Sequence, residues 1–273
     1  MEKSSNIKNI VCIASGKGGV GKSTTAVNLA LALKHQGLEV GLLDADIYGP
    51  SQPMMLGVKP GTRPQIKQQK FIQPIVAHGI QSISMGYLID ENTAMVWRAP
   101  MVIGAFNQLL NDTLWSDLDY LIVDLPPGTG DIQLSLAQTV KVTGAVIVTT
   151  PQDVALLDAR KAIEMFLKVK VPILGVVENM SMHVCSQCGH SEHIFGEGGG
   201  KKLSEDYGVS VMGSLPLDIT IRENTDNGTP VVVSQPQSSV ASAYQGLAVA
   251  LVKVVDELAE NTPAGPTITI KDD

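Results

Sequence analysis

Gly16-Lys17-Gly18-Gly19-Val20-Gly21-Lys22-Ser23 is the stretch that decides the fold. Its spacing, G-x4-G-K-S, is that of a phosphate-binding P-loop. Glycines at 16, 18, 19 and 21 let the backbone turn tightly and aim successive N–H groups at phosphate oxygens. Lys22 supplies a cation for β- and γ-phosphates, the Ser23 hydroxyl suits Mg²⁺, and Val20 and Thr24 complete the cradle. The flanks agree with this reading. Ile10–Ala14 is an apolar, strand-like run, and Ser23–His35 has helical apolar spacing, so the loop opens a helix at its N-terminus. Lys17 is an extra cation that an ordinary P-loop does not need. It folds onto its own phosphates, reaches across a two-fold axis to stabilise charge on a partner's nucleotide, or stays a solvated surface lysine.

Outward from the loop, strand-like runs recur at Val40–Leu43, Leu121–Val123, Ala145–Thr149, Ile173–Val177 and Val211–Leu215. Helical patterns lie between them at Met101–Leu110, Ile132–Gln138, Ala155–Lys168, Gly200–Tyr207 and Val240–Glu260. The alternation predicts an α/β fold with a doubly wound, mostly parallel sheet flanked by helices. The expected organisation is one P-loop domain over 9–260, between an N-terminal tail (1–8) and a polar C-terminal tail (261–273). Pro50–Pro74, rich in Pro, Gln and Lys, is expected to be an irregular excursion. Hydrophobic residues make up 44% of the chain and aromatic ones only 4%, which suits a Val/Ile/Leu/Ala-rich sheet covered on both faces. A net charge of −7 and the lack of a basic stretch argue against nucleic acid as a partner. Met1–Lys8 is too polar for a signal peptide and no apolar run reaches about 18 residues, so a cytoplasmic protein without membrane contact is expected.

Two strands end in acids. Val40–Leu43 delivers Asp44-Ala45-Asp46, at the strand end where open α/β sheets bind ligands. Asp44 suits a hydrated Mg²⁺ and Asp46 a water positioned to attack the γ-phosphate. Leu121-Ile122-Val123-Asp124 has the Walker B pattern, with Asp124 for Mg²⁺. It runs into Leu125-Pro126-Pro127-Gly128-Thr129-Gly130-Asp131, a rigid-then-flexible segment in which the N–H groups of Gly128 and Gly130 are placed to sense a γ-phosphate. Asp131 belongs to that switch or caps the next helix.

Of three cysteines, Cys12 lies inside the first strand as a small core residue. Cys185 and Cys188 form C-x-x-C, half of a tetrahedral thiolate site. Three completions are open. Two subunits each give a pair to an iron–sulfur cluster; His183, His190 or His193 completes a zinc site; or the pair works as a redox dithiol. Spacing alone slightly favours zinc.

K-G-G-V-G-K-S with its extra lysine resembles the deviant Walker A ATPases, the group of MinD, ParA and the nitrogenase iron protein. Within it, further segments are similar to the Mrp/ApbC branch of iron–sulfur cluster carrier proteins. They are D-A-D-I-Y-G-P-S (Asp44–Ser51), M-V-W-R-A-P-M (Met95–Met101), D-L-P-P-G-T-G-D (Asp124–Asp131), T-T-P-Q-D (Thr149–Asp153), V-E-N-M-S (Val177–Ser181), C-S-Q-C-G-H (Cys185–His190) and I-F-G-E-G-G (Ile194–Gly199). The resemblance covers about Ile10 to Glu260.

The resemblance implies a cytoplasmic homodimer that binds ATP and hydrolyses it slowly with Mg²⁺. It implies a [4Fe–4S] cluster held between subunits by Cys185 and Cys188, taken from a donor scaffold and passed to apo iron–sulfur proteins. Lys17 would act across the dimer and Asp46 would position the water. Asn179 would hydrogen-bond the adenine, and Pro216 would lie in the segment lining the base. Residue by residue, Asn179 alone reads as a turn former. Many bacterial members carry an additional N-terminal domain of about a hundred residues, and this chain is expected to do without its function or borrow it. Ala99 stands where relatives often have glycine, with little effect expected. A positioning ATPase of the MinD or ParA type is the main alternative. It calls for a basic C-terminal helix, whereas Val240–Glu260 has Lys253 against Asp256, Glu257 and Glu260. An ATPase with a structural zinc site is another. A nucleotide kinase lacks a recognisable acceptor site and leaves Lys17 unexplained.

Overall fold

A computed structural model describes residues 7–89, 98–139, 141–185 and 187–261, apart from the side chains of 131 and 139. The chain runs β1 (Ile7–Ala14), α1 (Lys22–His35), β2 (Val40–Asp44), α2 (Gln52–Met55), β3 (Ile66–Lys67), β4 (Phe71–Ile72), β5 (Ile75–Ala77) and β6 (Ile80–Ser84). It continues through α3 (Ala99–Asn111), β7 (Leu118–Asp124), α4 (Asp131–Thr139), β8 (Gly144–Thr149), α5 (Asp153–Lys168) and β9 (Ile173–Glu178). The last elements are β10 (His183–Val184), β11 (Ser191–Glu192), α6 (Gly199–Tyr207), β12 (Val211–Ser214), α7 (Ile219–Asp226), α8 (Val231–Ser234) and α9 (Ser239–Asn261).

Eight strands form one sheet in the order β12-β9-β8-β1-β7-β2-β6-β5, parallel except for the β5–β6 hairpin at one edge. Successive residues of a strand point to opposite faces, and both faces of this sheet are buried. Val11 and Ile13 of β1 join Tyr120 and Ile122 of β7 in a core under α1, α8 and α9. Cys12 and Ala14 join Leu121 and Val123 in a second core under α3, α4 and α5. Burial on both sides is why the strands read as continuous apolar runs rather than alternating ones.

All six expected strands and all six expected helices are present, with shifted ends. β1 starts at Ile7, so residues 7 and 8 belong to the strand rather than the tail; 1–6 and 262–273 lie outside the described residues, as do 95–97 of the Met95–Met101 motif. The expected irregular excursion at Pro50–Pro74 instead holds α2 and the small β3–β4 pair. The β5–β6 hairpin was not expected, though its signal is present. His78 and Gly79 both take positive φ (48° and 81°), the mirror-image turn favoured between twisted strands. α7 and α8 were likewise not foreseen. α9 is long and apolar enough to meet the length-and-composition criterion for a membrane span. Its Tyr244, Leu247 and Leu251 are nevertheless buried in the core beneath it.

Candidate functional site

Strand order brings the chemistry together. β1, β7 and β2 are neighbours, so the loop after β1 lies beside the acids that end the other two. Register pairs Asp44 with Asp124 directly, on strands about 4.8 Å apart. Gly19 and Gly21 sit at φ 82° and 83°, the left-handed region that glycine tolerates. A Cβ on Gly16 would fall 2.1 Å from the backbone of Asp158, and one on Gly21 would fall 2.1 Å from Asn179 Nδ2. α1 begins at Lys22 with no side chain capping its first turn, which leaves its N–H groups to an anion. The loop walls a cleft of about 290 Å³ lined by Lys17, Gly18, Gly19, Gly21, Lys22, Ser23, Thr24 and Asp46, among others.

At its floor lies a buried polar cluster. Lys22 Nζ ion-pairs with Asp124 (side chains 6% and 0% exposed) and lies 3.1 Å from Ser23 Oγ. Asp44 accepts four hydrogen bonds. Oδ1 takes the Asp46 amide at 3.1 Å, and Oδ2 takes the Ser51 and Gln52 amides at 3.1 and 3.2 Å and the Ser84 hydroxyl at 3.0 Å. Three of these bonds fall on Oδ2 and one on Oδ1, so Oδ1 keeps acceptor capacity. They tie residues 46, 51 and 52 and Ser84 to the end of β2, beside Asp124. Burial, and then the charge of Asp124, pushes the Asp44 carboxyl up to about 7. Burial also raises Asp46, whose Oδ1 accepts from the Gly49 amide at 3.3 Å.

Gln52, which the sequence did not single out, is 1% exposed. Its Nε2 donates to Asp124 Oδ2 at 2.8 Å and to the Ser23 carbonyl at 3.1 Å, while its buried Oε1 has no partner among the described residues. The donor set therefore fits a hydrated divalent cation: a hydroxyl, a buried carboxylate and an unpaired buried acceptor. In the switch segment, the N–H groups expected to face a γ-phosphate are already engaged. Gly128 donates to the Ser15 carbonyl at 2.9 Å and Gly130 to Gln133 Oε1 at 3.0 Å. Asp131 is the first residue of α4.

Asn179 follows β9 and reaches the loop, where its Nδ2 donates to the Val20 carbonyl at 2.8 Å. The segment then leads into the β10–β11 hairpin that carries the cysteines. The Cys185 amide donates to the His190 carbonyl and the Gly189 amide to the Cys185 carbonyl, both at 2.9 Å, with Gly189 at φ 72°. This tight turn leaves Cys185 half-buried and Cys188 exposed, both as free thiols. Backbone N–H groups of Cys188 and Gln187 point at the Cys185 sulfur and lower its pKa. Among the described residues, no group of three or more His, Cys, Asp or Glu is placed to hold a metal. His183 and His193 donate through Nδ1 to the Leu217 and Ser181 carbonyls, at 3.1 and 2.6 Å. The single-chain zinc site allowed by spacing is thus not assembled there. Pro216 does not line the P-loop cleft. It borders a cavity of about 950 Å³ shared with Cys185, Met182 and His193.

The family model of the NUBPL iron-transfer P-loop NTPases, of the ParA group, matches residues 6–252. The chain belongs to this family. Its relatives include an iron–sulfur cluster carrier protein of Pseudomonas fragi, 65% identical over 89% of this chain and 85% of that one. The iron–sulfur cluster carrier protein of Escherichia coli K12 is 58% identical over 89% of this chain, which spans only 65% of that relative's length. Among solved structures, a nucleotide-binding protein from Archaeoglobus fulgidus in complex with ADP is 34% identical. It aligns with a TM-score of 0.75 over 87% of this chain and 92% of that one. The P-loop NTPase fold inferred from Gly16–Ser23 is thereby established for a member of this family.

Proposed function

We propose that this protein is a cytoplasmic, homodimeric ATPase that carries an iron–sulfur cluster between its subunits and hands it to apo iron–sulfur proteins. The observation that carries the reading is the cysteine hairpin. It offers two accessible thiols on one turn, and no third ligand joins them among the described residues. Two such half-sites on a two-fold axis make the four-thiolate set of a [4Fe–4S] cargo. The names of the Pseudomonas fragi and Escherichia coli relatives support the same reading.

On this reading ATP binds along the loop, its phosphates against the free N–H groups at the start of α1. Lys22 turns from Asp124 to the β- and γ-phosphates. Ser23, Asp44 and Asp124 would hold Mg²⁺, which would supply neutralising charge at the phosphates. Asp46, at the mouth of the cleft, orients the attacking water, and Lys17 of each subunit stabilises charge on the other's nucleotide. Hydrolysis is slow. The Asn179 bond to Val20 ties the loop to the segment leading to Cys185, so nucleotide state biases the cluster site. A donor scaffold loads the cluster.

The test is anaerobic cluster reconstitution of the wild type and of Cys185→Ala/Cys188→Ala, measuring iron, sulfide and zinc per dimer. About four iron and four sulfide per wild-type dimer, lost in the variant, is the expected result. Tightly held zinc with no capacity for iron would overturn the carrier reading and leave an ATPase with a structural metal site.

A further inference from the structure

Gln52 has two peculiarities. It sits in a Pro-rich segment, two residues into a turn that otherwise serves Asp44, yet it is as buried as the core. One end of its amide is fully used, on Asp124 and on the carbonyl of Ser23, while the other end has no partner among the described residues. A buried acceptor left unpaired costs about 1–3 kcal/mol, a cost that packing alone does not explain. The amide orientation is not arbitrary. Reversing it would set a carbonyl oxygen against both the Asp124 carboxylate and the Ser23 carbonyl.

Asp124 supplies the reason to keep such a residue. It is fully buried and takes its countercharge from Lys22. Once Lys22 turns to a phosphate, that carboxylate needs another cation, and Gln52 is the neighbour that stays on it. Mg²⁺ dehydrates reluctantly and keeps several waters, each a donor in search of an acceptor.

We propose that Gln52 is the positioning residue of the metal site: its N–H groups fix Asp124 and the Ser23 turn, and its Oε1 accepts from a water on the divalent cation that enters with the nucleotide. The inference rests on the nucleotide-site reading above. It concerns orientation only, and no bond is made or broken at Gln52.

The experiment titrates the full-length protein with a fluorescent ADP analogue, in Mg²⁺ and in EDTA, for wild type and Gln52→Met, and measures the half-saturating Mg²⁺ concentration at fixed nucleotide. Outer-shell partners of a metal site are worth about 10–100-fold in metal affinity, so half-saturating Mg²⁺ should rise about tenfold or more in the variant. The affinity in EDTA should change far less. If both affinities fall together, or if half-saturating Mg²⁺ stays within about twofold of wild type, Gln52 is a packing residue and the inference is wrong. Gln52→Leu carries the same expectation if the methionine variant does not fold. Wild-type protein that binds no nucleotide would defeat the site reading itself. Wild-type protein with normal Mg²⁺-dependent binding and an indifferent variant would defeat only the role of Gln52.

Discussion

Lys22→Met leaves Asp124 in the core with its cation gone. Both side chains are almost fully sequestered, at 6% and 0% exposure, so water cannot replace the lost partner. Removing one member of a buried pair costs about 3–5 kcal/mol. Gln52 still donates to Asp124 at 2.8 Å, which places the expected loss at the low end, about 3 kcal/mol. At about 2–4 °C per kcal/mol for a domain near this size, the melting temperature should fall by about 6–12 °C. Asp124→Asn should cost less, about 1–2 kcal/mol, because the Lys22 ammonium can swing into the open cleft that it lines. The double variant removes both charges and should recover about 1 kcal/mol of the Lys22→Met loss, giving a coupling of about 2–3 kcal/mol. Urea unfolding of the four proteins, without nucleotide or metal and followed by circular dichroism, measures the cycle. Lys22→Met within about 0.5 kcal/mol of wild type, or a double variant equal to the sum of the singles, would refute the reasoning. Either result would mean that the pair is solvated and that the floor of the cleft is wet.

Gly228→Ala should lose about 2–4 kcal/mol, since its φ is 70° and an added Cβ would lie 2.2 Å from Gly57 Cα. Gly246→Ala, in the exposed middle of α9 with nothing within 4 Å, should gain about 0.5–1 kcal/mol in the same unfolding assay; equal effects at both sites would contradict the close approach of the 57 and 228 turns. Maleimide labelling at pH 8 should modify Cys185 and Cys188 in the native protein and spare Cys12, whose thiol burial pushes up to about 12. Mass spectrometry showing Cys12 labelled before unfolding would mean that β1 opens readily.

Much of the nucleotide site was legible because its signals are local. Glycine spacing, a following helix and an acid at a strand's end are each written within about ten residues, and the phosphate chemistry follows from residue type. Spacing left a single-chain zinc site open, because C-x2-C-x-H and C-x2-C-x4-H measure contour length rather than direction. Among the described residues no third His, Cys, Asp or Glu is placed with Cys185 and Cys188 to hold a metal. The partners of the switch-segment N–H groups in this structure were not legible either. A backbone N–H advertises nothing about its partner, and Ser15 and Gln133 claim those of Gly128 and Gly130.

By itself, then, the sequence determined a P-loop α/β domain, two acid-tipped strands and a cysteine pair on a turn. Only the tertiary structure decided which of these meet. It set Asp44 against Asp124 by placing β7 between β1 and β2. It gave Asp44 four donors, buried Gln52 under the loop from 72 residues before Asp124, and hooked Asn179 onto Val20 across 159 residues. Those contacts depend on strand order and helix packing, which arise from summed burial over the whole core. No short stretch of sequence carries that information.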